Sequence, residues 1–226
     1  RTAERQRGLP FRDRGRSRLA TKDGFQFYLA AAAPGSFAVT LRLGAARDQL
    51  ELTGCGGVDE TIEEAMTCIR LFSEADEEAI AARIPDEAYY RSFMGLAAQL
   101  EPDGKLVSVV SVSACQSGEP VSVALRRRAR DSRGRRQGKT GGEWEELTDE
   151  LVSAAKSSRG EQQGSIRLRE ANGDEHKVDL LDGMSDVVKA HWGDWVTISG
   201  PRTRKGGSVR LELIWRADDA DDSESR

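Results

Sequence analysis

The feature that most restricts this fold is a double change of hydrophobic period: two residues near the start, 3.6 in the middle, and two again further on. Phe25, Phe27 and Leu29 alternate with Gln26 and Tyr28 up to the turn signal Pro34-Gly35-Ser36, and Phe37, Val39, Leu41 and Leu43 resume the alternation. This reads as a β-hairpin, with a short third strand expected at 50–52. Gly54, Gly56 and Gly57 break the pattern. Val58, Ile62, Ala65, Met66, Ile69 and Phe72 then share a helical face, which predicts a helix of about four turns. Ser73 with Asp76 looks like a capping box for a second helix ending at Ile84-Pro85, and Asp86 can cap a third. Along that third helix Tyr89, Phe93, Leu96 and Leu100 form the apolar stripe, before the turn chemistry of Pro102-Asp103-Gly104. Valine-rich stretches at 106–113 and 121–125 predict another hairpin. Residues 24–125 are therefore expected to form an α+β unit, a mixed or antiparallel sheet with helices on one face.

Composition changes sharply at 126–142, where Arg126, Arg127, Arg128, Arg130, Arg133, Arg135, Arg136 and Lys139 sit among glycines with no large apolar residue. A basic linker or loop is the expectation. From about Glu143 a helix is predicted, with Trp144, Leu147, Leu151 and Ala155 on one face and Glu143, Glu145 and Glu146 at the positive end of its dipole. A small β-rich unit begins near Gly164. A three-residue loop, Asn172-Gly173-Asp174, sets Leu168 against Val178, Ile166 against Leu180 and Arg167 against Asp179. Met184, Val187, Val188 and His191 mark a short helix ending at Gly193. Val196 and Ile198 follow in a third strand, and Val209, Leu211, Leu213 and Trp215 alternate in a fourth after a basic turn carrying Arg202, Arg204 and Lys205. The element order β-β-α-β-β resembles a reduced OB-like or SH3-like barrel, and that resemblance implies binding of single-stranded nucleic acid, oligosaccharide or a protein segment. Residues 143–217 are thus expected to be a helix plus a small barrel-like domain, followed by an acidic tail at 218–226.

The remaining bounds are mostly exclusions. No apolar stretch approaches the roughly 18 residues of a membrane span. Residues 1–22 carry Arg1, Arg5, Arg7, Arg12, Arg14, Arg16, Arg18 and Lys22 against Glu4 and Asp13, so 1–23 reads as a flexible basic arm. The chain starts at Arg1 without a signal-peptide core, as a fragment or processed product would. Cys55, Cys68 and Cys115 form no C-x-x-C pair, so a reducing cytoplasm is expected rather than a disulfide framework or zinc knuckle. Usage rich in Ala, Arg, Asp and Gly suggests a bacterial source of high GC content.

Candidate chemistry is sparse. Gly138-Lys139-Thr140 resembles the end of a phosphate-binding loop, but the required glycine five residues before Gly138 is Arg133. His176 and His191 are the only imidazoles; His176 is expected to pair with Glu170 across a hairpin, and His191 to finish a helix. Cys68 falls in a helix core and Cys55, between glycines, is the thiol expected to be exposed. Ser36 lacks a nucleophile elbow, and no D-x-D or H-E-x-x-H arrangement suggests a metal. No catalytic, cofactor or metal residues are therefore assigned.

What remains is interaction. The chain is expected to be a non-enzymatic adaptor or regulatory subunit of a larger assembly with a protein partner, anchored by Trp192 or Trp215 if exposed. The alternative is nucleic-acid binding through the arginines of 126–139, the basic turn and the barrel, although no aromatic residues interleave with those arginines.

Overall fold

The computed structural model describes residues 1–12, 26–29, 41–44, 58–102, 106–115, 120–127, 144–156, 164–202 and 208–217. Strands β1 (Gln26–Leu29) and β2 (Leu41–Gly44) pair antiparallel, with Phe27 opposite Leu43. The third strand expected at 50–52 lies outside the described residues. Helices α2 (Val58–Ser73), α3 (Glu77–Arg83) and α4 (Glu87–Ala98) follow, then an antiparallel pair β3 (Val109–Ala114) and β4 (Val121–Arg126). The chain is α+β, as its periods require, but the two hairpins form separate two-stranded sheets rather than a common one.

Local chemistry explains the helix limits. Asp86 accepts from the amides of Ala88 and Tyr89 and so caps α4. Asp76, not Ser73, caps α3 by accepting from Ala79 N; Ser73 is the last residue of α2 and its hydroxyl donates to the Arg70 carbonyl. A capping box needs its Ser outside the helix, and the preceding helix runs one residue too far for that. Cys68, Phe72, Ile80, Ile84, Tyr89, Tyr90, Ala97 and Leu125 form the core between these helices and the β3–β4 hairpin, with Phe72 and Phe93 edge to face at 6.4 Å. The α4 stripe is rotated from expectation: Tyr90, Ser92 and Ala97 are buried while Leu96 and Leu100 are exposed.

The basic arm is folded over its first twelve residues. Helix α1 (Thr2–Gln6) lies on α2. Arg5 donates to Glu64 and to the Arg83 carbonyl, both at 2.6 Å, and the Tyr89 hydroxyl donates to the Leu9 carbonyl at 3.1 Å. Phe11 packs edge-on to Tyr89, and the Arg1 guanidinium stands 4.8 Å from the Phe11 ring centre. Charge density predicted solvation, but these arginines meet carboxylates and carbonyls that helix packing had already placed. Residues 13–23 lie outside the described residues.

A second correction reshapes the C-terminal unit. The helix expected from Glu143 is a 13-residue strand, β5 (Trp144–Lys156). It pairs antiparallel with β6 (Gly164–Arg169) on one side and β8 (Trp195–Pro201) on the other, passing from β8 to β6 at Glu150, with an irregularity in the β6 pairing between Leu151 and Ser153. Strand β7 (Glu175–Leu180) pairs with β6, β9 (Val209–Leu211) runs parallel to β7, and β10 (Leu213–Arg216) pairs with β8. The sheet order β10-β8-β5-β6-β7-β9 returns on itself, because β9 also meets β8 through the bridge Arg202 to Val209 and Glu212 N donates to Ser199 O. Leu151, Ile166, Leu168, Val178, Leu180, Val196, Ile198, Val209 and Leu211 fill the interior, and α5 (Ser185–Ala190) adds Val187 and Val188 to the same core.

Two registers differ from expectation. The β6–β7 loop has three residues, but they are Ala171-Asn172-Gly173, closed by Glu170 N to Asp174 O. Gly173 takes φ +94°, a conformation that favours glycine at the last loop position. Moving the loop back one residue shifts the register by two, so Ile166 faces Val178 and Leu168 faces His176, while each side chain keeps its face. In the last strand, Glu212 interrupts the alternation, so Val209, Leu211 and Ile214 point into the core and Leu213 and Trp215 point out.

The helical unit and the barrel touch through α4 and α5. A Cβ on Gly95 would lie 2.4 Å from a Val187 methyl, and one on Gly183 would lie 2.2 Å from the Ala88 carbonyl oxygen. Arg91 donates to the Asp182 carbonyl, Gln99 contacts the buried His191 ring, and Arg1 pairs with Asp186 at 2.9 Å.

Candidate interaction surface

Cross-strand partners share a face, and so do residues two apart on one strand. Trp195 is opposite Glu150, Thr197 opposite both Thr148 and Trp215, Ser199 opposite both Glu146 and Leu213, and Pro201 opposite Trp144. These residues therefore form one outward face across β5, β8 and β10, carrying Trp144, Trp195 and Trp215. Trp144 is 41% and Trp195 48% exposed, and Trp215 is half-buried. Between them Thr148 and Thr197 share a hydroxyl hydrogen bond at 3.0 Å, and Thr197 and Ser199 are buried. Glu146 is exposed and Glu150 half-buried on the same face. Trp192, 56% exposed in the turn after α5, is three residues from Trp195.

The opposite wall of the barrel is different. On β6 and β7 the outward side chains are charged and largely pair with each other: Glu175 takes Arg167 at 3.0 Å and Arg169 at 3.3 Å, and Lys177 lies 3.6 Å from Asp179. Neither strand carries Phe, Tyr or Trp. The arginines pull the Glu175 carboxyl below its usual range by hydrogen bonding.

Of the basic residues singled out by sequence, Arg126 is exposed at the end of β4, Arg127 is half-buried, and Arg202 pairs with Glu145 at 3.1 Å. Arg128, Arg130, Arg133, Arg135, Arg136, Lys139, Arg204 and Lys205 lie outside the described residues. Trp192 follows α5 and Trp215 lies on β10. Trp144 went unrecognised as part of this surface because it was placed on a helix, and Glu146 and Thr148 went with it.

Both histidines have carboxylate neighbours among the described residues. His176 pairs with Glu170, as the sequence anticipated; that hydrogen bond raises the imidazole above its ordinary range and lowers the carboxyl. His191 is buried at the α4–α5 contact, 3.8 Å from Asp194. Burial, reinforced by Glu64, pushes the Cys68 thiol up to about 11, so it is no thiolate at neutral pH. The exposed thiol among the described residues is Cys115; Cys55 lies outside them. Among the described residues no group of three or more His, Cys, Asp or Glu side chains is arranged to hold a metal, and no helix is long and apolar enough to cross a membrane.

Among the described residues, Asp149 is the one carboxylate that the barrel buries, at 6% exposure on the inward side of β5 opposite Val196. Burial raises its pKa, partly offset by the charge of His176. A carboxyl whose folded pKa exceeds its unfolded value destabilises the fold while ionised, and that cost disappears as pH falls through the folded value. Asp149→Asn is therefore expected to raise the urea midpoint at pH 7 and to leave it unchanged at a pH below the ordinary aspartate range. A lower midpoint at pH 7 would show that attraction to His176 outweighs burial.

Geometry and composition together define an α+β protein whose C-terminal part is a small barrel with one tryptophan-bearing face. Comparison with protein-family models, with curated proteins and with solved structures returned no match.

Proposed function

We propose that the chain is a non-catalytic interaction module that engages a protein partner through the β5–β8–β10 face. The observation that carries this is the placement of Trp144, Trp195 and Trp215 on one side of three adjacent strands, two of them with more than a third of their surface open to solvent. Exposed indoles are the residues most often responsible for the energy of protein interfaces, because they combine large apolar area with little conformational freedom. Glu146 and Glu150 beside them favour a partner that brings apolar groups flanked by Lys or Arg, and disfavour a phosphate backbone.

The strand cycle β5-β6-β7-β9-β8, with a parallel β7–β9 pair and a helix between β7 and β8, supports an OB-like over an SH3-like reading of the barrel. In such barrels the second and third strands usually carry nucleic acid on aromatic side chains. Here those positions fall on β6 and β7, whose outward charges are paired and which carry no Phe, Tyr or Trp. That contrast ranks a protein partner first and nucleic acid second, and it suits an adaptor or regulatory subunit.

The test is to isolate the tagged full chain with and without nuclease, identify any co-purified protein by native mass measurement, and titrate it against variants. Trp144→Ala combined with Trp195→Ala is expected to weaken binding roughly a thousandfold, as about 2 kcal/mol per anchoring residue implies, without lowering the melting temperature. Unchanged affinity would overturn the assignment of this face. Binding of RNA or DNA whose salt dependence flattens on changing Arg126, Arg127, Arg128, Arg135 and Arg136 to Ala would instead establish the nucleic-acid reading.

A further inference from the structure

The β3–β4 hairpin is unlike the rest of the chain. Its inward side chains, Val110, Val112, Val123 and Leu125, pack toward the helical core, but its outward side chains, Val109, Ser111, Ser113, Ser122 and Ala124, are all exposed. It forms a sheet of only two strands, so each has one backbone edge without a neighbouring strand among the described residues. A free edge is a template for further pairing, and folded proteins blunt such edges with Lys, Arg, Pro, bulges or covering segments. β4 has Pro120 just before it and Arg126 at its end. Among the described residues β3 has no such device: residues 106–114 contain no charge, no proline and no glycine, and β3 pairs with β4 without a bulge. Leu106, 92% exposed, precedes it.

We propose that β3 is a homodimerisation edge, pairing antiparallel with β3 of a second copy to make a four-stranded sheet β4-β3-β3-β4. Self-complementarity selects this occupant. A two-fold axis perpendicular to the sheet keeps both helical layers on the same side. It requires residues of equal facing to oppose each other, which is met when Ser111 of one copy lies against Ser111 of the other. Val110 then meets Val112 on the inner face and Val109 meets Ser113 on the outer one. Charge repulsion is absent at every pair, and serine hydroxyls can bond across the join as Ser113 and Ser122 already do at 2.9 Å within the hairpin. A five-residue pairing is small, so the dimer is reversible and concentration-dependent. This surface lies on a different sheet from the tryptophan face, and the inference is independent of the partner proposed there.

Sedimentation of the full chain over a concentration series tests it. The dimer mass is expected by about 100 μM, where a complex with a Kd near 10 μM is mostly associated. Ser111 points outward and is exposed, so Ser111→Lys and Ser111→Glu should both fold, as judged by an unchanged circular dichroism spectrum. Each alone should be monomeric because like charges meet at the axis, and an equimolar mixture should recover the dimer. Ser111→Cys should form a disulfide-linked dimer on mild oxidation, which the unsubstituted chain, whose exposed Cys115 is four residues away, should not form as readily. A monomer at all concentrations, or a dimer that survives Ser111→Lys, overturns the proposal.

Discussion

Replacing Gly200 with alanine is expected to cost about 3 kcal/mol or more and to open the barrel. Gly200 lies on β8 opposite Glu145, where a Cβ would stand 1.8 Å from the Arg210 carbonyl oxygen and 2.9 Å from its carbon. Those are backbone atoms of β9, held on their other side by the parallel pairing of Arg210 with Asp179. They cannot turn away as a flexible side chain would, so the added methyl must separate β8 from β9 at the point where the sheet closes. Overpacking of a well-packed core typically costs about 1–3 kcal/mol, and a clash with fixed backbone belongs at or above the upper end. Urea denaturation would show a midpoint shift, and amide exchange should accelerate first at Val209 and Leu211. A shift below about 0.5 kcal/mol would mean that β9 is not held against β8.

The second large effect is expected at Gly183, where two independent penalties coincide. Its φ of +95° is a conformation that a β-carbon resists, and that Cβ would lie 2.2 Å from the Ala88 carbonyl oxygen on α4. Gly183→Ala should therefore destabilise the chain by about 2–4 kcal/mol, combining backbone strain with displacement of α4. The consequence should extend beyond stability. Gly95 against Val187, Arg91 on the Asp182 carbonyl and Gln99 on His191 all depend on the same close approach of α4 to the barrel. Losing it should split one thermal transition into two, with Phe72 and Leu125 reporting the helical core and Leu168 and Ile198 the barrel core. A single transition in the variant would show that the units remain coupled without this contact. Gly193, at φ +79° with open space around its Cβ position, is the control: alanine there bears the backbone strain alone.

Helix α2 could be read from sequence because its stripe admits only one period: Val58, Ile62, Ala65, Met66, Ile69 and Phe72 fit 3.6 residues and do not alternate. The caps at Asp76 and Asp86 are local chemistry, decided by a carboxylate and amides within three residues. The faces of β6 and β7 were legible too, since an error of two in register does not change which side chains turn inward. For the interaction face, sequence supplied Trp215 but misplaced Trp144, and the reason lies in β5. Trp144, Leu147, Leu151 and Ala155 fit a helical stripe, whereas Leu147 and Leu151 also lie on one side of a strand with Asp149 between them. A carboxylate in the middle of an apolar face argues locally for the helix. Only β6 and β8, arriving from 164–169 and 195–201, supply the backbone partners that make the strand the better state and bury Asp149 in doing so. The basic N-terminal segment was misread on the same grounds, because Glu64, the Arg83 carbonyl and Asp186 become its partners only after the helices and α5 are in place. Sequence by itself determined the periods, the caps and the facing of side chains, all of which depend on neighbours a few residues away. Tertiary structure decided which long-range hydrogen-bond partners were within reach, and so turned a helical pattern into the strand that carries Trp144 and a charged arm into a packed one.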